Sequence, residues 1–198
     1  MDFDVNMYRM TPIRRDAPWP ATLLTARLVL RPVEPADVPA ISRTWTDPAV
    51  RRYLGGPVAA AEVARREEKC PGAPNVFGVV RSSDATVLGM VEIKPVGDTH
   101  SEHNATGHTE VGYTLLPECW GRGYGREAVS AATAWALENI SPAPPVVIAV
   151  TQEANKESCR LLEAIGMTLV AQFVAWDASQ LMYSVDRVAL RSDVGSGV

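Results

Sequence analysis

One stretch of nine residues limits the folds open to this chain: Trp120-Gly121-Arg122-Gly123-Tyr124-Gly125-Arg126-Glu127-Ala128. Glycine recurs at every second position, interleaved with two arginines. Residues 110–116, just before it, read as a strand, and an alanine-rich helical stretch runs on to residue 139. A glycine turn that leads from a strand into a helix leaves the first N–H groups of the helix without internal partners, at the positive end of its dipole. Glycine also lets an anion approach the backbone with no Cβ in the way. The segment therefore predicts a phosphate-holding turn over Arg122, Gly123, Tyr124, Gly125 and Arg126. Its bland counterpart is a tight connection that needs glycine for sterics alone.

The rest of the pattern builds a mixed α/β layer around this unit. Residues 27–33 alternate as a strand that ends near Pro32, and Pro35 and Asp37 open a short helix. A short helical turn begins at Asp47-Pro48, and residues 58–69 have helical composition. Residues 76–81 and 87–95 read as a hairpin. Residues 97–107 read as a polar loop. Residues 146–150 form a continuous apolar run, as a central strand buried on both faces does. A second helix is predicted over 154–165, stopped by Gly166, and residues 169–175 and 180–185 as a closing hairpin. The order predicts helices packed on one central sheet within a single domain over 22–188, between a loose arm at 1–21 and a disordered tail at 189–198.

Composition removes several function classes. A net charge of −4 and a pI near 5.4 argue against a general nucleic-acid binder. No apolar run approaches the length of a membrane span, and the acidic start Met1-Asp2-Phe3-Asp4 is no secretory signal. Three scattered cysteines, Cys70, Cys119 and Cys159, suit a reducing compartment, so a cytoplasmic location is expected. His100, His103 and His108 fit no familiar zinc spacing, and no metal is expected.

Four blocks, in order, carry a family resemblance. They are Leu28-Val29-Leu30-Arg31-Pro32 with Asp37; Asp47-Pro48 through Tyr53; Glu110-Val111-Gly112-Tyr113 followed by the glycine turn; and Asn155-Lys156-Glu157-Ser158 through Leu162-Glu163-Ala164-Ile165-Gly166-Met167. Across residues 23–187 the chain resembles the GNAT-type N-acetyltransferases, in the branch similar to ribosomal-protein N-terminal acetyltransferases. The resemblance implies a mixed, mostly antiparallel sheet of about seven strands flanked by about four helices, with one splayed pair of strands. It implies acetyl-CoA as co-substrate and direct transfer to an amine, either a protein N-terminus or a small molecule. The amides of residues 122–126 would then hold the CoA pyrophosphate. The backbone of Leu115 and Leu116 would pair with the pantetheine arm, and Asn155 would hydrogen-bond it. A homodimer is a possible assembly.

Direct transfer needs a neutral amine, and most amines are protonated near neutral pH. Glu110 matches the position of the family's common base. On a strand it shares a small, polar face with Gly112 and Thr114, opposite Val111, Tyr113 and Leu115. Its competing role is a strand-end carboxylate paired with a cation. By the same resemblance Ser158 would lie near the thioester sulfur and donate a hydrogen bond to the leaving thiolate, or serve only as a small packing residue, and Asn155 would otherwise be a simple helix cap. Many family members carry a tyrosine acid where this chain has Leu162, and Trp120 also departs from the commoner residue. Trp45, Tyr53, Arg51 and Arg52 fall in the region that walls the acceptor. A covalent route through Cys119 or Cys159 with a histidine is a minor alternative. From another class, a non-catalytic acyl-CoA-binding sensor or interaction module would keep the turn and Asn155 but tolerate loss of Glu110.

Overall fold

The computed structural model describes residues 19–95, 109–140 and 145–186. The predicted polar loop with its three histidines, and the tail, lie outside these residues. Strands β1 (Leu23–Leu24) and β2 (Leu28–Pro32) lead into a 3-10 turn, Pro35–Asp37, and then helices α1 (Val38–Thr46), α2 (Pro48–Arg51) and α3 (Ala60–Lys69). Strands β3 (Val76–Arg81), β4 (Val87–Pro95) and β5 (Thr109–Leu115) come next. A 3-10 turn, Pro117–Cys119, precedes α4 (Tyr124–Asn139), β6 (Val146–Gln152), α5 (Lys156–Ala164), β7 (Thr168–Ala175) and β8 (Ala178–Asp186).

The strands form one sheet in the order β1-β2-β3-β4-β5-β6-β8-β7. Every pairing is antiparallel except β5 with β6. Eight strands stand where about seven were expected. The addition is the two-residue β1, too short to show a period. The second predicted helix begins two residues late, because Asn155 stands outside it as the N-cap and its side chain accepts the Ser158 N–H at 3.3 Å.

Alternation along the strands sorts side chains onto two faces. One face carries Leu30, Phe77, Val79, Val91, Val111 and Val147, and buries them against Val129, Ala132, Trp135 and Ala136 of α4 and Leu162 of α5. Small residues on α4 let it lie close to the sheet. The opposite face holds a smaller cluster of Val33, Ile41, Trp45, Cys70 and Met90 on the α1–α3 side, and a third of Ile148 and Met182. Arg31 and the buried Asp37 join β2 to the following turn through a two-point ion pair at 2.6 and 3.0 Å. Burial opposes charge on Asp37, but the Arg31 hydrogen bonds, the Glu34 N–H and the Arg31 charge outweigh it and hold the carboxyl below its usual range. Among the described residues, no helix is long and apolar enough to cross a membrane.

The predicted loose arm reaches residue 21, yet Trp19 packs into the core. Its ring meets Phe77 at 5.0 Å and Trp135 at 6.2 Å between centroids, both edge to face. Charges and prolines around it hid this anchor. Two such ring pairs contribute about 0.5–1.5 kcal/mol each. Trp19→Ala should therefore lose about 1–3 kcal/mol of stability, read as a lower denaturant midpoint with an unchanged slope.

Candidate active site

Strands β5 and β6 stay in register for two residues only, Thr109 with Val147 and Glu110 with Ile148. Beyond that point β5 follows β4 down to Leu115, and β6 follows β8 down to Gln152. The strands separate, and a cleft of about 1320 Å³ opens between them. Glu110, Gly112, Tyr113, Thr114 and Leu115 line it from β5; Gly123, Gly125 and Arg126 line it from the turn and α4; Asn155 and Ser158 line it from the start of α5. Most of the site residues expected from the sequence therefore meet in one place.

The glycine turn has the backbone expected of it. Gly121 and Gly123 have φ of +69° and +79°, a region open to glycine at little cost, and Gly123 caps α4. Among the described residues, no N–H from residue 121 to 126 makes a hydrogen bond, so a row of donors faces outward. Gly125 serves another purpose: a Cβ there would sit 3.0 Å from Leu161 Cδ1, so its absence lets α4 approach α5. Arg126 reaches the cleft and has no ion-pair partner among the described residues. Arg122 and Tyr124 are not among the residues that line the cleft.

A clasp that the sequence reading missed fixes this turn. Glu127 accepts from the Thr25 hydroxyl at 2.6 Å, the Arg27 N–H at 2.8 Å and Arg27 Nε at 2.7 Å. Arg27 Nη1 donates to the Arg122 carbonyl at 3.0 Å, and its guanidinium lies 4.6 Å above the Tyr124 ring. Burial works against the charge on Glu127, but Thr25 and Arg27 outweigh it and hold the carboxyl below its usual range. The sequence signal was available: a carboxylate in the first turn of an anion-binding helix requires a cation beside it.

Leu115 and Leu116 differ from the expected pairing surface. The Leu116 N–H already donates to the Leu88 carbonyl at 2.8 Å, and its side chain is buried. Of the two, only Leu115 lines the cleft, because successive amides of an extended strand point to opposite edges. The Leu115 carbonyl accepts the half-exposed Trp120 indole N–H at 2.8 Å. Trp120, a departure in sequence, thus caps the strand edge.

On the face of β5 away from α4 and α5, Glu110 is largely buried, and Lys94 Nζ lies 4.0 Å from its Oε1 and 3.4 Å from Glu92 Oε1. Burial opposes the Lys94 charge, but Glu92 and Glu110 raise its pKa. Glu92 is held over Gly112, where an added Cβ would stand 2.9 Å from its Oε1. Further along this face, Trp45, Arg51, Arg52 and Tyr53 line the cleft as expected. Arg51 is tied down by the Gly56 and Leu54 carbonyls, and its pKa is lowered by burial and by Arg66. On the α5 side, Tyr113 Oη and Ser158 Oγ lie 2.6 Å apart. Cys70, Cys119 and Cys159 are buried free thiols, and burial raises the pKa of Cys119, which makes it a poor nucleophile. Among the described residues, no group of His, Cys, Asp and Glu is arranged to hold a metal.

The arrangement is a row of amides without hydrogen-bond partners among the described residues at one end of a slot, with a carboxylate near the end where β5 and β6 pair. The family model described as an acetyltransferase (GNAT) domain matches residues 27–168, and the chain belongs to this family. An uncharacterized N-acetyltransferase p20 from Bacillus licheniformis is 29% identical over 54% of this chain and 61% of its own length. The FsC-acetyl coenzyme A-N(2)-transacetylase of Aspergillus fumigatus is 28% identical over 77% of this chain and 67% of its own. The chain thus spans about two thirds of these curated relatives or less. A GNAT-family acetyltransferase structure from Bacillus anthracis superposes with a TM-score of 0.70 at 21% identity, covering 84% of this chain and 98% of that one, so the fold is shared.

Arg27→Ala should weaken CoA binding about tenfold or more by calorimetry, since the turn loses its tether and leaves Glu127 uncompensated beside the anion. The linked pH effect has a defined sign. A carboxyl with a folded pKa below its unfolded value stabilises fully above the unfolded value, about 4.3, and that stabilisation is lost as pH falls through the folded value. Unfolding midpoints of Glu127→Gln should therefore lie below wild type at neutral pH and converge with it in acid.

Proposed function

We propose that this protein is an acetyl-CoA-dependent N-acetyltransferase, acting in the cytoplasm and moving an acetyl group directly to a primary amine through a carboxylate base. Residues 22–188 form the catalytic unit of this reading. One observation carries it: among the described residues the amides of residues 121–126 make no hydrogen bond, and Gly121, Gly123, Gly125 and Arg126 line the same cleft as Glu110. The donor set fits the group it would bind. Backbone N–H groups at a helix start, with Arg126 nearby, suit a pyrophosphate, and the separating edge of β5 suits an amide-bearing arm. The curated relatives, an N-acetyltransferase and an acetyl coenzyme A N(2)-transacetylase by name, support nitrogen as the acceptor atom.

In this reading Asn155 and the Leu115 backbone position the arm, and the thioester lies between Tyr113 and Ser158 on one side and Glu110 on the other. Glu110 takes the proton of the acceptor, directly or through a water. The nitrogen lone pair forms the C–N bond, the Leu115 N–H stabilises the developing oxyanion, and the C–S electron pair leaves on sulfur. Lys94 Nζ stands 4.0 Å from Glu110 Oε1, on the side of the carboxylate next to Glu92. The acceptor is a protein N-terminus, as in the ribosomal-protein branch that the motifs resemble, or a small amine.

Glu110→Gln should lower kcat by about 10²-fold or more in a thiol-release assay against a library of amines and N-terminal peptides. The loss should be greatest at low pH, where the acceptor is protonated, with CoA affinity unchanged. Wild-type turnover across pH excludes this role for Glu110. Tight CoA binding with no transfer to any amine favours a binding module instead.

A further inference from the structure

We propose that Arg51 and Arg66 form an anion-binding subsite in the acceptor half of the cleft, so that the amine acceptor carries a carboxylate several bonds from its nitrogen; this rests on the function proposed above. On the face of the sheet away from α4 and α5, the cleft is walled by Trp45 near the end of α1, by α2 with the turn after it, and by Arg66 of α3. The charged residues of this wall that line the cleft are Arg51, Arg52 and Arg66, and no carboxylate of residues 38–69 lines it. The sheet itself contributes Glu92, Lys94 and Glu110, which are engaged with one another.

Both arginines are held in place without being neutralised. Arg51 Nε donates to the Gly56 carbonyl at 2.9 Å and Nη2 donates to the Leu54 carbonyl. These anchors are neutral, and among the described residues Arg51 has no ion-pair partner. Arg66 Nε donates to Glu62 Oε1 at 2.9 Å, and its guanidinium lies 5.8 Å from the centre of the buried Trp45 ring. Glu62 also serves Arg65, at 2.6 Å, so one carboxylate is shared by two cations. Asp47 is occupied in capping α2, where it accepts the Ala49 N–H at 2.8 Å. Burial first, and then the Arg66 charge, lower the Arg51 pKa, so the two like charges act on each other across partly dry ground. An anion between them relieves that repulsion and meets forked donors that match a carboxylate. A cationic acceptor meets the repulsion alone.

The subsite stands apart from the base. Trp45, beneath Arg66, shares a buried cluster with Met90. Met90 pairs with Thr114, and Lys94 pairs with Glu110 further along the same ladder. From Met90 to Lys94 the strand advances about 13 Å, at about 3.3 Å per residue. The arginine side chains span part of this distance, and the acceptor spans the rest. A single α-amino acid, with amine and carboxylate on one carbon, is too short. An N-terminal peptide with an acidic second or third residue is long enough, and so is a small ω-amino acid. Both present one chemistry, an amine and a carboxylate joined by a spacer.

The test is the thiol-release assay with acetyl-CoA on wild type, Arg66→Gln, Arg66→Glu and Arg51→Gln, each checked by thermal melting. The acceptors are N-terminal peptides that differ only in Asp, Asn or Lys at the second or third residue, and ω-aminohexanoate, its amide and hexanediamine. In wild type, kcat/KM should favour the Asp peptide over the Asn peptide about tenfold, with the Lys peptide lowest, and the preference should shrink as salt is raised. The difference should lie in KM, because the contact is the same in the ground and transition states. Arg66→Gln and Arg51→Gln should bring the Asp and Asn peptides together. Arg66→Glu should turn the order toward Lys, a reversal that loss of packing does not produce. An acidic acceptor that leads among the peptides, among the small amines or in both keeps the inference and tells which source supplies the carboxylate. Equal kcat/KM for acidic, neutral and basic acceptors, or a wild-type order in Arg66→Glu, overturns the inference and leaves the proposed function standing. No transfer from wild type to any amine overturns the proposed function and this inference with it.

Discussion

The site depends on the brevity of one pairing. Strands β5 and β6 share two residues of register, while each keeps its other neighbour for seven. Antiparallel ladders on both outer sides hold the strands straight through the gap, so it does not collapse. Were the parallel pairing to run on for five more residues, it would reach Leu115 and consume the β5 edge. With none, Glu110 would lose the neighbour that fixes its place. The catalytic arrangement proposed for Glu110, Leu115 and Ser158 is thus a property of where a sheet stops being a sheet.

A second constraint is electrostatic. An anion-binding turn that carries its own carboxylate works against itself, yet Glu127 is the residue that anchors it. The conflict is resolved by the turn between β1 and β2: Arg27 meets Glu127 at two points and the Arg122 carbonyl at a third. Thr25 adds a neutral donor to the same carboxylate. The start of the domain and its phosphate-facing turn, about a hundred residues apart in the chain, are one mechanical unit. The free arginine at the turn, Arg126, can then serve a ligand rather than the fold.

Much of this was legible in the chain. Periodicity placed the central strands and the two long helices, and glycine spacing placed the turn, because these signals are local. The eightfold sheet order, the face shared by Lys94, Glu92 and Glu110, and the Tyr113–Ser158 contact were not legible, because each depends on register between distant strands. Trp19 was hidden by prolines and charges that looked like an unstructured arm. The direction of the Leu116 amide was not legible either: one residue along a strand turns an N–H to the opposite edge, where the Leu88 carbonyl takes it. Asn155 takes the cap role weighed for it, its side-chain oxygen accepting the Ser158 N–H at the start of α5, and it also lines the cleft.

An unsatisfied strand margin is ordinarily dangerous, since another polypeptide can add to it and start an aggregate. Here that margin is folded inward, between two halves of the same sheet, with a tryptophan stopper at its lower end. The five residues from Val111 to Leu115 thus lie at an edge sheltered within the sheet rather than at its rim, so the parting of the strands that opens the cleft does not add an outer margin for other chains to pair with.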